Sequence, residues 1–184
     1  KVREVPGLTS ASPVIVQTVV RLDAGQPGAA LQVIGLDLLE EFDSRGFRVM
    51  QGQDDNPLAD LLKADSLYLG RKLAAEWHLE KGNTIRLQVG ARQVQARIAG
   101  VIQDRSDRVS SWDHVAIMDI AAAQVLFGMV GKLDRIDLVT SHDAEIDAAA
   151  QAVRAVLPPH VTAARPTSRA PRRSHGSSRS SPTA

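Results

Sequence analysis

The residue types in this 184-residue chain that could do chemistry are five dispersed histidines, one acidic segment and one Ser-Asp-His segment. The histidines are His78, His114, His142, His160 and His175. No two of them are spaced i,i+4, and no His-Glu-x-x-His sequence occurs, so the usual helical zinc pattern is absent. We therefore predict no histidine metal site and interpret His78 and His114 as surface residues.

The acidic segment Gln53-Asp54-Asp55-Asn56 is followed by Asp60, which places several side-chain oxygen atoms close together in the chain. Calcium sites are built from such oxygen ligands, but this segment lacks the glycine and the final glutamate of an EF-hand loop. The preferred interpretation is a polar loop in which Asn56 caps a short helix beginning at Pro57. We predict no metal here.

The segment Ser110-Ser111-Trp112-Asp113-His114 contains the residue types of a nucleophilic triad or an Asp-His dyad. Neighbouring positions in a sequence do not make a triad, whose geometry depends on where the fold brings the three side chains. The chain also lacks a phosphate-binding loop, a dinucleotide fingerprint and a nucleophile elbow. The absence of cysteine excludes disulfides, thiolate metal sites and cysteine nucleophiles. We predict no catalytic residue, no cofactor and no enzymatic activity.

The composition is that of a globular domain with an aliphatic core. Hydrophobic residues make up 43% of the chain and aromatic residues only 3%, too few for a base-stacking nucleic-acid platform. No apolar run approaches the roughly 20 residues needed to cross a bilayer. The chain opens at Lys1 without a methionine, so we expect a processed or trimmed N-terminus.

Charge is distributed unevenly along the chain. Five arginines and no acidic residue lie in residues 165–184, so that with a formal net charge of +1 overall the rest carries −4. Residues 166–184 are rich in Ser, Arg and Pro and contain no large apolar residue, which predicts a disordered basic tail. Binding of nucleic acid or of an anionic membrane is an alternative for this tail. The basic tail could instead originate from a truncation, a reading-frame change or vector sequence.

The clearest structural pattern is a β-hairpin around Gly90-Ala91. Apolar residues alternate with polar ones in Thr84–Val89 and again in Gln93–Ile98, which predicts two strands that each bury one face. Glycine in the first turn position favours a type II′ connection.

Other patterns add short strands and amphipathic helices. The predicted strands are Val14–Leu22, Leu31–Leu36, Phe47–Met50, Ser66–Gly70, His114–Met118, Leu133–Thr140 and His160–Ala164, and the first two are expected to pair as a hairpin. The predicted helices are Arg71–Leu79, Ile120–Phe127 with Asp119 as its cap, and Asp143–Leu157, in addition to the one beginning at Pro57. Because the central hairpin interrupts any regular βαβ repetition, the predicted fold class is α+β.

The order of several segments resembles the extracytoplasmic domain of MacB/FtsX-like ABC transporter permeases. The matching segments are Val5-Pro6-Gly7 to Ser12-Pro13-Val14, Val33–Asp37, Leu67–Leu79 with Lys81–Leu87, Ala99–Ile102, and Met118–Gln124 with Leu133–Asp137. The resemblance covers roughly residues 3–165. It departs from the family at Asn83, where the family commonly has Asp, and in the tail, because no transmembrane helix follows Arg165-Pro166.

The resemblance implies a two-lobed domain on the periplasmic or extracellular face of a bacterial membrane. One lobe, βαβ-rich, would combine residues 1–65 and 119–165. The other, a β-rich insertion, would contain residues 66–118. Lys1 and Arg165 would lie close together, because both must return to one membrane face.

The resemblance also implies partners and a function. The partners would be the permease's own transmembrane helices, a cytoplasmic ATPase subunit and a periplasmic or extracellular protein, within a homodimer or pseudo-dimer of permeases. Conformational change would couple ATP hydrolysis to export or to the handling of lipoproteins or other substrates outside the membrane. The alternatives are a free-standing extracytoplasmic ligand- or partner-binding module and a nucleic-acid binder that relies on the basic tail. The preferred hypothesis includes no nucleic acid.

Overall fold

The computed structural model describes residues 4–23, 28–40, 47–50, 63–104, 112–140 and 146–164, with only the backbone described for residues 47–50 and 104. The strands are β1 (Leu8–Arg21), β2 (Ala29–Leu36), β3 (Phe47–Met50), β4 (Ser66–Gly70), β5 (Thr84–Val89), β6 (Arg92–Asp104), β7 (Ala116–Asp119) and β8 (Arg135–Thr140). The helices whose bounds lie within the described residues are α1 (Arg71–Glu76), α2 (Ile120–Phe127) and α3 (Ile146–Val156), and residues 38–40 are also helical.

All eight strands belong to one sheet, which closes on itself. The path of neighbouring strands is β2-β7-β4-β6-β5-β1-β8, and β1 also pairs with β2. The strands β1, β2, β7, β4, β6 and β5 therefore form a closed six-stranded ring, in which β2–β7 and β4–β6 are parallel and the other pairs are antiparallel. The short strands β3 and β8 extend this ring along the two longest strands, β6 and β1.

The larger core lies on the inner face of this ring. Alternate residues of all six ring strands form one buried cluster, because successive side chains of a strand point to opposite faces. Its members from the strands are Ile15, Val19, Leu31, Val33, Leu67, Leu69, Ile85, Leu87, Ala96, Ile98, Ala116 and Met118. Residues of α1 and α2 join the same cluster. A second, smaller cluster on the other face contains Tyr68, Trp112 and Ile117.

The predicted β5–β6 hairpin is confirmed, including its register. Val89 lies opposite Arg92, so Gly90 and Ala91 form a two-residue turn. Gly90 has a φ of 56°, whereas Ala91 is not among the described residues with positive φ, as a type II′ turn requires. The predicted pairing of β1 with β2 is also confirmed, over eight residue pairs from Val14–Leu36 to Arg21–Ala29.

Helix α2 begins and ends where the sequence predicts. The Asp119 carboxylate accepts hydrogen bonds from the backbone N–H groups of Ala121 (2.9 Å) and Ala122 (3.4 Å). This cap satisfies two donors that the first turn of a helix leaves without partners. Gly128, with a φ of 68°, ends the helix in the left-handed conformation that glycine adopts most easily.

Several predicted boundaries are wrong. Strand β1 begins at Leu8 and passes through Pro13, which a strand tolerates here because β2 pairs with β1 only from Val14 onward. Helix α1 ends at Glu76 instead of Leu79. Residues 160–164 form no strand, because exposed residues with no neighbouring strand to pair with gain nothing from β propensity.

The remaining predicted boundaries differ by a few residues or are not described. Strand β7 begins at Ala116 instead of His114, and β8 at Arg135 instead of Leu133. Helix α3 spans Ile146–Val156, within the predicted range of 143–157. The predicted helix that begins at Pro57 and the basic tail lie outside the described residues.

The α+β class is confirmed, and the two-lobe division stays a prediction. Strands β4, β5 and β6 belong to the predicted insertion of residues 66–118, while β1 and β2 belong to the other lobe. The β1–β5 and β2–β7 pairs join these ranges within one closed sheet.

Candidate functional site

The histidines that the structure describes lie on the surface. His78, His114 and His160 are exposed, whereas His142 and His175 lie outside the described residues. The buried carboxylate of Asp113 forms an ion pair with Lys72 (Oδ2–Nζ 3.2 Å) while the neighbouring His114 faces solvent, so these two residues do not form a dyad. Ser110 and Ser111 lie outside the described residues.

The structure contains no metal-binding cluster in the part of the chain that it describes. No three His, Cys, Asp or Glu side chains there are grouped so that they could hold an ion. The acidic segment 53–56 and Asp60 lie outside that part. The absence of metal, cofactor and catalysis therefore stays a prediction for the whole chain.

The junction between β4 and α1 is fixed by an unusually close backbone contact at Gly70. A Cβ atom on Gly70 would lie 2.0 Å from the backbone oxygen of Trp112 and 2.5 Å from the backbone of Asp113. Gly70 N–H donates to the Val115 carbonyl (2.8 Å), and Leu73 N–H donates to the Asp113 carbonyl (2.9 Å). Together with the Lys72–Asp113 ion pair, these bonds hold the start of α1 against residues 112–115. Only glycine fits there.

The end of β1 meets β5 and α1 in a cluster of four residues, Arg21, Asp23, Trp77 and Arg86, which we call the seam latch. The guanidinium carbon of Arg21 lies 4.9 Å from the centroid of the Trp77 ring, within the range of a cation–π contact. Arg21 Nε donates to Asp23 Oδ1 (2.8 Å), and Arg86 N–H donates to Asp23 Oδ2 (3.2 Å). One carboxylate therefore links β1 to β5.

The charge of Asp23 is stabilised by this arrangement. Partial burial raises the pKa of Asp23, but the hydrogen bonds from Arg21 and from the Arg86 backbone, together with the positive charge of Arg21, lower it by more. The net effect holds the pKa of Asp23 below its ordinary value of 3.8. Asp23 is therefore ionised at neutral pH.

The opposite end of β1 pairs with β8 in a two-stranded extension of the ring, which we call the terminal ribbon (residues 8–14 and 135–140). Leu8 lies opposite Thr140, and Val14 lies opposite Arg135. Thr9 Oγ1 donates to the Val139 carbonyl across the two strands (3.1 Å). The chain therefore enters β1 and leaves β8 at the same end of the ribbon.

A shallow groove of about 440 Å³ lies beside the C-terminus of α1. Its polar lining consists of Arg71, His78, Glu80 and Lys81, and its apolar lining includes Val101. His78 adopts a φ of 51°, which makes it the one non-glycine residue with positive φ in the described part of the chain. We call this feature the α1 groove.

Comparison with known proteins identifies the family of this fold. Residues 1–156 match the MacB-like periplasmic core domain family, which is most of the chain. The chain belongs to this family. It is an extracytoplasmic domain of an ABC transporter permease, and the resemblance inferred from the sequence is confirmed.

One curated relative of this MacB-like domain is an uncharacterized ABC transporter permease protein of Mycobacterium tuberculosis. The two are 31% identical over 144 residues, which cover 75% of this chain and 16% of the relative. The MacB-like domain thus corresponds to about one sixth of that protein's length.

Solved structures confirm the fold of this MacB-like domain. The extracellular domain of the noncanonic ABC-type transporter YknZ from Gram-positive bacteria matches with a TM-score of 0.61 and 12% identity, covering 84% of this chain and 78% of that one. The periplasmic region of MacB from Actinobacillus actinomycetemcomitans matches with a TM-score of 0.53 and 14% identity, covering 83% and 69%. Among the described residues of the MacB-like domain, no helix is both long and apolar enough to span a bilayer.

Sequence reasoning missed both the seam latch and the close contact at Gly70. Arg21 and Trp77 lie far apart in the sequence, and nothing local in either segment indicates that the fold brings them together. One available signal is that Trp77 is one of only two tryptophans in an aromatic-poor chain. Large rings contribute heavily to packing, so Trp77 was a candidate for a long-range contact.

Proposed function

We propose that this domain transmits conformational change between the membrane part of its permease and a substrate or partner protein outside the membrane. The energy would come from ATP hydrolysis in a cytoplasmic ATPase subunit, and the permease would work as a dimer or pseudo-dimer. The observation that carries the proposal is the terminal ribbon, in which Leu8 and Thr140 lie side by side. The segment that precedes Leu8 and the segment that runs from Thr140 toward α3 therefore leave the ring at one place.

Strand β1 has the shape that such a transmitting element needs. Its 14 residues extend over about 45 Å at the usual rise per residue. One end is held by β8, and the other end is held by β2 and by the seam latch. Because a hydrogen-bonded strand resists extension, a displacement of the ribbon moves the ring as a rigid body.

The test is to loosen this connection in the full-length parent permease. A flexible Gly-Ser insertion between Pro6 and Gly7 separates the ribbon from the segment that leads to the membrane. We expect the ATPase activity to remain while transport per ATP falls about tenfold or more, as expected when a coupling free energy of a few kcal/mol is lost.

A matched insertion between Gly90 and Ala91 controls for the effect of added length. This turn is exposed and joins β5 to β6 at the tip of a hairpin, so we expect transport and ATPase activity to stay unchanged. If both insertions reduce transport equally, or if the Pro6–Gly7 insertion has no effect, the proposal is wrong.

Binding of a small anion is a second candidate function, and it rests on the α1 groove. Arg71 and Lys81 line the groove together with His78, and their two positive charges outnumber the single carboxylate of Glu80. His78 occupies the left-handed position after α1, where Leu79 N–H donates to the Ala74 carbonyl (2.9 Å). Glycine is preferred in this motif, so histidine costs stability of about 1 kcal/mol.

The His78→Gly variant distinguishes a binding residue from an incidental one. We expect it to raise the free energy of unfolding by up to about 1 kcal/mol in the 184-residue chain, because glycine relieves the backbone strain. A binding role also requires that the variant lose affinity for small dicarboxylates and phosphate in calorimetric titrations. If the wild-type chain binds neither anion, the second candidate is eliminated.

A further inference from the structure

The outer side of β8 combines an open strand edge with exposed apolar residues. In the described sheet β8 is terminal, and its one strand neighbour is β1. Three of the eight exposed large apolar side chains in the described residues lie shortly before or within it, namely Val130 (71% exposed), Leu133 (39%) and Ile136 (44%). We call these three residues the β8 surface.

An exposed apolar surface beside an open strand edge is typical of an interaction site. Exposed apolar residues are unremarkable when they are scattered singly, but a concentration of them marks an interaction site. An unprotected strand edge likewise offers backbone N–H and C=O groups to another strand. A proline, a bulge or charged side chains usually protect such an edge; residues 135–140 contain no proline, and their two charged side chains are Arg135 and Asp137.

The charges of β8 identify which partner fits. Arg135 and Asp137 flank Ile136, and Arg135 Nε donates to Asp137 Oδ1 (2.8 Å), so both side chains lie on one face of the strand. If two β8 strands pair antiparallel with Ile136 opposite Ile136, Arg135 of each copy lies opposite Asp137 of the other. Opposite charges in directly opposed positions stabilise an antiparallel pair. The sequence Arg-Ile-Asp is therefore complementary to itself.

We infer that the β8 edge is a homodimer interface, in which two copies of this domain pair through antiparallel β8 strands about a two-fold axis at Ile136. A two-fold interface requires a patch that complements itself, and the alternation of arginine, isoleucine and aspartate meets this requirement. The two rings then form one continuous sheet across the interface. Because the contact is short, we expect weak pairing that tethering within a dimeric permease would strengthen.

Disulfide cross-linking of the 184-residue chain tests this geometry directly. The chain contains no cysteine, so Ile136→Cys introduces a single thiol. Because position 136 lies on the two-fold axis, the new thiol of one copy faces that of the other at a Cα–Cα distance of about 4.5–5.5 Å, which suits a disulfide. We expect mild oxidation to yield a cross-linked dimer. Val125→Cys is the matched control: it is more exposed but off the axis, and we expect little cross-linking.

Charge reversal tests the pairing independently. We expect Arg135→Asp to weaken dimerisation in sedimentation equilibrium by about tenfold, because two symmetric attractive pairs become repulsive. Combining Arg135→Asp with Asp137→Arg restores the complementary pairs and is expected to restore dimerisation. Circular dichroism of each variant confirms that the fold is retained.

Three results would overturn the inference. The first is a chain that stays monomeric at the highest soluble concentration and shows no Ile136→Cys cross-link. The second is a dimer that is insensitive to both charge variants. The third is evidence of another occupant at the edge. This would be a monomer that dimerises only after removal of residues 165–184, or a monomer that binds lipid vesicles through the β8 surface. None of these results depends on transport, so the proposed function is tested separately.

Discussion

Strand β1 is paired differently along its two edges. On one edge, eight consecutive residue pairs join β1 to β2, from Val14 to Arg21. On the other edge, the same stretch has only two pairs with β5, at Val20 and Arg21. One further backbone bond, from Leu22 N–H to the Arg86 carbonyl (2.9 Å), completes this second contact.

The difference shows that side-chain contacts supplement the short backbone ladder between β1 and β5. The β5 edge carries the seam latch, with a cation–π contact and a carboxylate that bridges to β5. The β2 edge is instead covered by α2, which packs on β1 and β2. Closure of the ring therefore depends on the seam latch at one edge and on a regular ladder at the other.

The largest expected effect comes from Gly70, which fixes the start of α1, the helix that Trp77 of the seam latch directly follows. We expect Gly70→Ala to lower the free energy of unfolding by about 3 kcal/mol or more, because the added Cβ collides with backbone atoms that cannot move aside easily. Urea denaturation measures this loss.

Gly82→Ala is a suitable control for the loss of a glycine. Gly82 has a φ of 91° but no atom within 4 Å of an added Cβ, so we expect a cost of about 1 kcal/mol from backbone strain alone. Equal losses at Gly70 and Gly82 would show that the close contact at Gly70 is unimportant.

The contact between Arg21 and Trp77 is expected to have the next largest effect. In a double-mutant cycle with Arg21→Met and Trp77→Leu, we expect a coupling free energy of about 1 kcal/mol, as for a partly buried cation–π pair. Both replacements keep an apolar side chain, so most of the packing remains.

Hydrogen exchange locates this effect on the weaker edge of β1. We expect the Leu22 amide, which donates to Arg86, to lose protection in either single variant, while amides paired between β1 and β2 keep theirs. A coupling free energy of zero, or uniform loss of protection on both edges, would contradict the role of the latch.

The stronger edge of β1 can be weakened through the cap of α2. We expect Asp119→Ala to lower the free energy of unfolding by about 1 kcal/mol, because two N–H groups in the first turn lose their acceptor. Asp119→Asn keeps a side-chain acceptor and should restore most of this stability in thermal unfolding. If Asn behaves like Ala, the charge of Asp119, not its hydrogen bonds, is what matters.

The difference between the edges also explains what the sequence could reveal. The β5–β6 hairpin, the β1–β2 pairing and the Asp119 cap were predicted because each follows from residues close together in the chain. Alternation marks a strand, a glycine turn sets its register, and a cap is read from one residue and its neighbours.

Closure of the ring was not predicted, because its determinants are distant in sequence. The β1–β5 contact has too few pairs to leave a pattern, and it relies on Arg21 meeting Trp77. The restriction at Gly70 comes from backbone atoms of residues 112–113, which no local pattern identifies. His78 was predicted within a helix because its neighbours have helical spacing, although the helix ends before it.

The smallest expected effect concerns the carboxylate of Asp23, and it depends on pH. The pKa of Asp23 is lower in the folded chain than its ordinary value of 3.8, so folding favours the ionised form. This stabilisation is complete above about pH 5 and is lost as the pH falls through the folded pKa, which lies below the ordinary value. We expect the wild type to exceed Asp23→Asn in free energy of unfolding by about 0.5 kcal/mol at neutral pH, as for an ion pair at the protein surface.

The pH course of this difference separates the charge of Asp23 from its hydrogen bonds. Asparagine can still accept a hydrogen bond from Arg21 or from Arg86, so the difference between the two proteins reports the charge. We expect it to shrink toward zero below pH 4 and to weaken in high salt, because mobile ions screen the attraction to Arg21. A difference that persists unchanged in acid would mean that the carboxylate closes the β1–β5 edge by shape alone. The weaker edge of β1 would then be held without electrostatic help.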